Sequence, residues 1–347
     1  MAAAAVRGHN LLQVLLLWLL LCQFSYVHAY VAPAPGRLLP RKAIVSNSSG
    51  IVQVVDSSTQ DIIAQGEATD GAGARFSPPA MLWIGCCFLI GVPLSFAGIR
   101  GWRLTTGAGI GLSAGVLSWA AIINSINNDG VSDIVLTSIT LGFIFLGCCL
   151  GAFEFARLGG IILIVLNGGL AFGIRIVLLK EGLLGGSSLH TNWAIVIVFP
   201  ILAGLSMIWK QRPPLLFGCA SVGLFLMALG IDLIVNKQDG MSRGLRYLFD
   251  RNTAHLADIM TNGYHPKVST RVIVIASLVA TPMFATAQHY VFRKPFNRHK
   301  GPPSDAELAV NYPTTFEQKK VSDFFMDMWQ RGSAVLEKHH NGSRFSL

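Results

Sequence analysis

The sequence predicts an all-α integral membrane protein, a bundle of seven transmembrane helices. Seven apolar stretches of about the 20 residues that cross a bilayer follow one another between residues 80 and 291. Hydrophobic residues make up 52% of the 347 and charged residues only 13%, which is too apolar for an ordinary soluble domain. Most of the 36 glycines lie inside these stretches, as in packed membrane helices. The predicted spans are residues 80–98, 104–124, 134–153, 158–179, 193–210, 215–235 and 271–291.

Residues 1–29 have the pattern of a secretory signal peptide. Arg7 precedes the apolar run 11–22, and Val27-His28-Ala29 supplies a small-residue cleavage site. An uncleaved signal anchor is the alternative, although a 12-residue apolar core is short for a span. Residues 30–79 are then a flexible luminal or extracellular segment, because they are rich in Ser, Thr, Gly, Ala and Pro without a helical period. Asn47-Ser48-Ser49 in that segment is an N-glycosylation acceptor.

The distribution of basic residues predicts an orientation with the N-terminus outside and the C-terminus in the cytosol. The short loops on the predicted inner side carry five basic residues and the short outer loops carry one, as the positive-inside rule expects. The five are Arg100, Arg103, Arg157, Lys210 and Arg212, and the one is Lys180. The long outer loop 236–270 is an exception with five basic residues, and four more just after residue 292 offset it on the inner side.

A weak internal repeat runs through the spans. Arg103, Arg157 and Arg212 lie 54 and then 55 residues apart, each close to an aromatic residue in a predicted inner turn. This regularity predicts three helical hairpins, made of spans 1–2, 3–4 and 5–6, and a closing seventh span. Arginine and aromatic side chains anchor helices at the headgroup level, and a lipid-headgroup site is the alternative use.

Glycines that recur four residues apart predict close helix packing, because a smooth face lets a neighbouring backbone approach. Packing within the bundle is the favoured use, and homodimerisation is the alternative. The packing candidates are Gly107, Gly111, Gly115, Gly147, Gly151, Gly169 and Gly173.

Two ionisable residues lie well inside the predicted spans, where each costs a few kcal/mol to insert. Arg175 in span 4 and Asp232 in span 6 each lie 18 to 20 residues from the inner end of the span. We therefore expect a similar depth for both and consider a buried charge pair between them. The alternative is that both are shallow and hydrated, or serve only to lock two helices.

Two segments outside the spans have amphipathic patterns. In the loop 236–270 helical spacing of apolar residues predicts a helix on the membrane surface. His255, Asp258 and His265 in that loop could be metal ligands, but a polar face of the surface helix is the far more favoured interpretation. In the cytosolic tail 293–347, apolar residues between Val321 and Trp329 predict an amphipathic helix that rests on the inner leaflet or docks a protein partner.

Several segments of the chain resemble a known seven-span domain. They are Phe96-Ala97-Gly98-Ile99-Arg100, Trp102-Arg103-Leu104-Thr105, Gly230-Ile231-Asp232 and the stretch from Gln288 to Pro295-Phe296. Together they resemble the domain shared by transmembrane protein 198 and transmembrane 7 superfamily member 3, closest to its fungal representatives, over about residues 80–296. The resemblance implies an integral membrane protein of the secretory system without catalytic residues, at the plasma membrane or an endomembrane. It also implies a scaffolding role, since animal relatives are associated with the phosphorylation of a receptor.

We therefore interpret the chain as a non-enzymatic membrane scaffold or organiser, with an ion or small-solute conduit using Arg175 and Asp232 as the alternative. An enzyme is disfavoured because no nucleophile elbow, zinc-protease motif or pair of membrane aspartates occurs. Nucleic-acid binding is disfavoured because the basic residues lie scattered at helix ends. No cofactor and no metal is expected, and the expected partners are the bilayer, a protein at the tail and a second copy of the chain.

Overall fold

The computed structural model describes residues 43–48, 51–56, 60–66, 69–126, 130–183 and 189–292. The predicted signal peptide at 1–29 and the predicted amphipathic helix of the tail 293–347 lie outside the described residues. The described part contains a two-stranded antiparallel sheet and nine α-helices. The strands are β1 (Ala43–Ser48) and β2 (Ile51–Asp56). The helices are α1 (Pro78–Ala97), α2 (Trp102–Ser125), α3 (Asp133–Gly151), α4 (Arg157–Val177), α5 (Leu189–Trp209), α6 (Arg212–Val235), α7 (Met241–Phe249), α8 (Leu256–Asn262) and α9 (Val268–Val291).

Seven of these helices, α1 to α6 and α9, are long and apolar enough to cross a membrane, which confirms the seven predicted spans. Local sequence explains where several of them begin. Prolines occupy the first turn of α1 and of α6, where their missing N–H groups are not needed for helix bonds. The outward surface of the bundle is apolar, and Leu89, Phe145 and Val272 are each more than half exposed. Such a surface fits lipid and not water.

Five of the seven spanning helices form a ring. Extensive contacts join α1 to α6, α6 to α4, α4 to α2 and α2 to α3, and a lighter contact joins α3 back to α1. Outside the ring, α5 packs on α4, and α9 packs mainly on α6. α4 and α6 bury the largest share of their residues and are the central helices.

This arrangement differs from the three hairpins that the sequence repeat predicts. α1 contacts α2 only lightly, and α5 likewise contacts α6 only lightly, although each pair is joined by a short turn. The reason is the placement of small residues: a Cβ at Gly91 of α1 would lie 2.9 Å from the carbonyl oxygen of Gly223 in α6. The backbones of α1 and α6 therefore approach closely, and α1 turns its packing face away from its sequence neighbour.

All seven predicted packing glycines lie at helix–helix contacts inside the bundle. Gly107, Gly111 and Gly115 of α2 face Ile144 and Cys148 of α3. A Cβ built on Gly147 would lie 2.7 Å from the Cα of Gly111, and a Cβ on Gly151 would lie 2.5 Å from the Cα of Gly107. The remaining two, Gly169 and Gly173, face Pro200 and Val196 of α5.

One end of the bundle carries a folded cap, which we define as residues 60–66, 69–77 and 236–267. Its helices α7 and α8 follow α6, and its first part follows the β1–β2 hairpin. In that hairpin Ala43 pairs with Asp56 and Ser48 with Ile51. The hairpin was missed when residues 30–79 were predicted to be flexible, although Val45, Val52, Val54 and Val55 supplied β-branched residues that favour strands.

The other end of the bundle is closed by a hydrophobic core. Its buried side chains come from all five helices of the ring, and the turn after α1 adds Ile99 to them. Among them are Leu94, Ala108, Ile144, Ile164 and Leu215. Apolar packing therefore fills one end of the bundle, and the cap covers the other.

Candidate functional site

Arg175 is fully buried between three helices. Its Nε donates to the carbonyl oxygen of Ala171 at 3.1 Å, one turn back along α4. Nη1 donates to Ser277 O at 2.9 Å and to Thr281 Oγ1 at 3.0 Å in α9. Nη2 donates to Ser221 in α6, to its Oγ at 2.7 Å and its carbonyl oxygen at 3.2 Å. A guanidinium has five N–H donors, so these five bonds leave none free for a ligand.

The guanidinium lies near the middle of the membrane-spanning region. Ser277 and Thr281 stand at the centre of α9, 9 residues from its start and 10 from its end respectively. Helical side chains point towards the N-terminus of their helix, which brings the Arg175 head group inwards from the end of α4. The cation is solvated there by neutral carbonyl and hydroxyl oxygens of three helices and not by a carboxylate of the described residues.

Asp232 lies near the end of α6 and holds the start of α7. Its Oδ2 accepts the backbone N–H of Met241 at 2.5 Å, and its Oδ1 accepts Asn236 Nδ2 at 2.8 Å. The carboxylate thus stabilises the positive N-terminal end of α7. Gly240 is needed beside it, because a Cβ there would overlap Oδ2 of Asp232.

The structure does not form the predicted charge pair. Arg175 bonds to α6 at Ser221, which lies 11 residues, or about 16 Å of helix, from Asp232. The depth estimate was wrong because it counted residues from the helix ends and ignored the direction in which the Arg175 side chain runs. Arg175 and Asp232 belong to two separate hydrogen-bond networks.

The ring of five helices borders a partly open pocket of about 160 Å³ beneath the cap, which we call the cavity. Its walls are mainly apolar and aromatic. They include Trp83 of α1, Leu112 and Trp119 of α2, Ile144 of α3, Leu170 of α4 and Phe225 of α6. A pocket of this kind is a candidate binding site.

Residues 69–73, which we call the lid, cross the cap end of the cavity. Asp70 and Ala72 line the cavity. Gly71 and Gly73 have φ angles of +78° and +68°, a left-handed conformation that favours glycine. The two left-handed turns fold the chain over the ring, and residues 74–77 join the lid to the start of α1.

Side chains from three helices hold the lid. Trp119 Nε1 donates to Asp70 O at 2.8 Å, and Thr137 Oγ1 donates to Gly71 O at 2.5 Å. Ser242 of α7 donates its hydroxyl to the Asp70 carboxylate. The same Thr137 accepts Trp83 Nε1 at 3.0 Å, so one hydroxyl links the lid, α3 and α1. The hydrogen bond from Trp83 to Thr137 joins α1 to α3, whose contact is the lightest of those that form the ring.

Two polar side chains of the membrane-spanning helices also line the cavity. Asn167 is used within the bundle, since its Nδ2 donates to Ser113 Oγ at 2.9 Å and to Gly109 O at 3.1 Å. Thr140 is fully buried, and its Oγ1 has no hydrogen-bond partner among the described residues. A buried hydroxyl normally has a partner, so Thr140 is an exception, and its hydroxyl is not accessible from the cavity.

The three candidate metal ligands of the cap, His255, Asp258 and His265, each pair with a different side chain. His255 Nδ1 pairs with Asp250 Oδ2 at 2.9 Å, and both side chains are fully buried. Asp258 pairs with Arg246, and His265 pairs with Glu181. Among the described residues no group of three His, Cys, Asp or Glu side chains is placed to hold a metal ion.

Tyr264 ties the cap to α4. Its hydroxyl donates to Leu178 O at 2.8 Å, and its ring is buried. Burial raises the pKa of the Tyr264 phenol, with the nearby Asp232 carboxylate adding to the increase. The phenol therefore keeps its proton and its hydrogen bond at neutral pH.

At the opposite end of the bundle, two arginines of the sequence repeat meet one aromatic ring. The guanidinium carbons of Arg103 and Arg157 lie 5.4 and 5.3 Å from the centroid of Trp102. Phe153 and Phe155, which lie just before α4, stack on each other and are about half exposed. Cations and aromatic rings in this arrangement suit the headgroup region of a bilayer.

The predicted glycosylation residue, Asn47, lies on strand β1. The cavity, in contrast, was missed from the sequence. Trp83, Thr140 and the lid come from three separated parts of the chain and share no motif. The left-handed Gly71 and Gly73, which follow Asp70 in a Thr-Asp-Gly-Ala-Gly run, were the one local signal of a tight turn there.

Comparison with known families gives one match. The TM7S3/TM198-like domain matches residues 84–289, which covers all seven spanning helices apart from the ends of the first and last. The match includes the cavity walls apart from Trp83, together with Arg175, Asp232 and the second part of the cap, and it leaves the lid outside. Comparisons with curated proteins and with solved structures gave no match.

Proposed function

Because the chain belongs to the TM7S3/TM198-like domain family, we propose that it is a non-enzymatic scaffold in a membrane of the secretory pathway. The observation that carries the proposal is that all five N–H donors of the Arg175 guanidinium are used in hydrogen bonds within the bundle. Its five bonds fix α4, α6 and α9 to one another at mid-membrane. A protein that organises partners benefits from such a fixed framework, whereas a transporter needs helices that move against each other.

The same contacts disfavour the conduit. Arg175 has no free donor for a solute, and Asp232 is committed to α7 and Asn236. The hydrophobic core fills one end of the ring, and the lid and α7 lie across the other. Conduction would require both closures to open and the two networks to break.

Orientation and site of action are part of the proposal. The basic residues of the end opposite the cap and the predicted signal peptide favour a cap on the luminal or extracellular side. The tail 293–347 then extends into the cytosol, where its apolar pattern between Val321 and Trp329 suits a protein partner or the inner leaflet. Homodimerisation through the seven glycines is disfavoured, because these glycines already pack against other helices of the same chain.

Proximity labelling tests the scaffold. A biotin ligase fused to the C-terminus is compared in the full chain and in a chain lacking residues 304–347, with Gly142→Ala as a control that leaves the tail intact. We expect a set of cytosolic proteins that is labelled by the full chain and the control and lost on deletion, while the thermal stability of the bundle is unchanged. The same labelled set with and without the tail would contradict a tail-dependent scaffold.

A further inference from the structure

Beyond the scaffold role, we propose that the cavity binds the end of one acyl chain of a membrane lipid, which enters from the side of the bundle between α2 and α4. Three features of the molecule support this site. The cavity is partly open, its opening lies at the depth of the acyl chains, and its walls are mainly apolar.

Val116 marks the opening of the cavity. It is 40% exposed, more than any other residue that lines the cavity. It lies on the side of α2 that faces α4, because Ser113, one turn earlier, accepts a hydrogen bond from Asn167 of α4 at 2.9 Å. Trp119, one turn later, instead contacts Phe249 of α7, with ring centroids 5.6 Å apart. The gap between these two contacts, which we call the window, is the opening at Val116.

The other sides of the cavity are covered. At the cap end the lid is held by hydrogen bonds from Trp119, Thr137 and Ser242. On another side of the ring the bond from Trp83 to Thr137 joins α1 to α3. The hydrophobic core fills the end opposite the cap. The window is therefore the entrance, and it faces sideways out of the bundle.

The window lies at the depth of the acyl chains. Val116 precedes the end of α2 at Ser125 by 9 residues, or about 14 Å of helix. Half of the hydrocarbon core of a bilayer is about 15 Å thick, so the window lies near mid-membrane and far from the headgroups. Acyl chains already cover the outward surface of the seven spans, and the window continues this contact surface into the bundle.

The walls of the cavity suit a hydrocarbon chain. Leu170 of α4 and Phe225 and Leu229 of α6 face the space. An engineered cavity of about 150 Å³ takes up benzene, so the space of about 160 Å³ holds about six carbons, the end of one chain. Among the described lining residues Asp70 alone is ionisable, and its carboxylate is already bonded to Ser242. A charged headgroup thus finds no partner inside and stays in the bilayer.

Photolabelling tests the site, because Phe225 and Leu229 are reached by lipid only from within the ring. Both line the cavity, while α1 and α4 flank α6 and α9 packs on its outer side. The full chain is placed in phosphatidylcholine nanodiscs in which part of the lipid carries a diazirine at the end of one acyl chain. After irradiation, tandem mass spectrometry assigns the adducts to residues. We expect adducts on Phe225, Leu229 and Val116, with Phe145, 72% exposed, as the labelled reference and Ile164, fully buried, as the unlabelled one.

Two variants fill the cavity from opposite walls. Ala171→Phe does so from α4 and Leu112→Trp from α2. In both, the adducts on the two α6 residues should fall to the level of the buried reference, while the exposed reference keeps its adducts. Gly142→Ala, which adds a methyl group to open space, should be labelled like the native chain. Far-ultraviolet circular dichroism checks that each variant folds.

Three results would overturn the proposal. A native chain without adducts on the two α6 residues would mean that no acyl chain enters the cavity. Adducts there that a folded filling variant retains would mean that the label reaches α6 by a route outside the cavity. Adducts on the two α6 residues without one on Val116 would place the entrance away from the window.

Discussion

The contact between α2 and α3 predicts opposite effects for two glycines of the same helix. A Cβ on Gly147 would lie 2.7 Å from Gly111 Cα, 3.0 Å from Gly111 N and 3.1 Å from the carbonyl carbon of Ile110. All three atoms belong to the α2 backbone and cannot rotate away. A Cβ on Gly142, five residues earlier, has nothing within 4 Å.

The expected magnitudes follow from these distances. Gly147→Ala must push the two helices apart by several tenths of an ångström or more along a contact that also includes Gly107 and Gly151, and such overpacking costs about 1–3 kcal/mol. Gly142→Ala adds a methyl group to open space and gains up to about 1 kcal/mol of helix propensity. Gly147→Ala gains the same propensity, so the pair should differ by the overpacking cost alone, about 1–3 kcal/mol in the free energy of unfolding, with Gly147→Ala the less stable.

Thermal unfolding in a mild detergent, followed by circular dichroism, measures the difference. The two variants have identical chemistry, so expression, detergent binding and the unfolded state affect both alike. Equal unfolding temperatures, or a lower one for Gly142→Ala, would refute the close approach of α2 and α3.

Three further predictions concern other parts of the chain. Arg175→Lys keeps the charge but has three donors in place of five, so we expect a loss of about 1–3 kcal/mol in thermal unfolding; an unchanged unfolding temperature would contradict the five-bond network. Gly240→Ala forces the Asp232 carboxylate away from Met241 N and should lower stability by about 2 kcal/mol or more, and rescue by Asp232→Ala in the double variant, measured as a coupling energy, would identify the clash. Asn47→Gln should abolish a mobility shift that endoglycosidase also removes from the native chain, and a native chain without the shift would contradict a luminal N-terminal segment.

The seven spans were predictable because length and hydropathy alone set what crosses a bilayer. The packing glycines were predictable for a similar reason, since their four-residue spacing is local to one helix. Which helices pack together was not, because it depends on small residues that match across long distances in the chain, such as Gly91 of α1 and Gly223 of α6. The hairpins predicted from sequence neighbours were accordingly replaced by the five-helix ring.

The candidate site shows the same limit. Arg175 and Asp232 were identified from their cost in a membrane, yet their partners depend on the direction of a side chain and on how far α6 is offset from α4. Thr140 gave no signal in the sequence, because a threonine in an apolar helix is ordinary. That its buried hydroxyl lacks a partner among the described residues follows only from how the helices pack.

The most direct test of the central claim, a fixed bundle closed at both ends, is ion and proton flux in proteoliposomes. The native chain is compared with Asp232→Asn and with Gly142→Ala at matched incorporation. The account predicts that none of the three chains conducts above the level of protein-free vesicles. Flux through the native chain that Gly142→Ala retains and Asp232→Asn loses would contradict the account and make the chain a conduit.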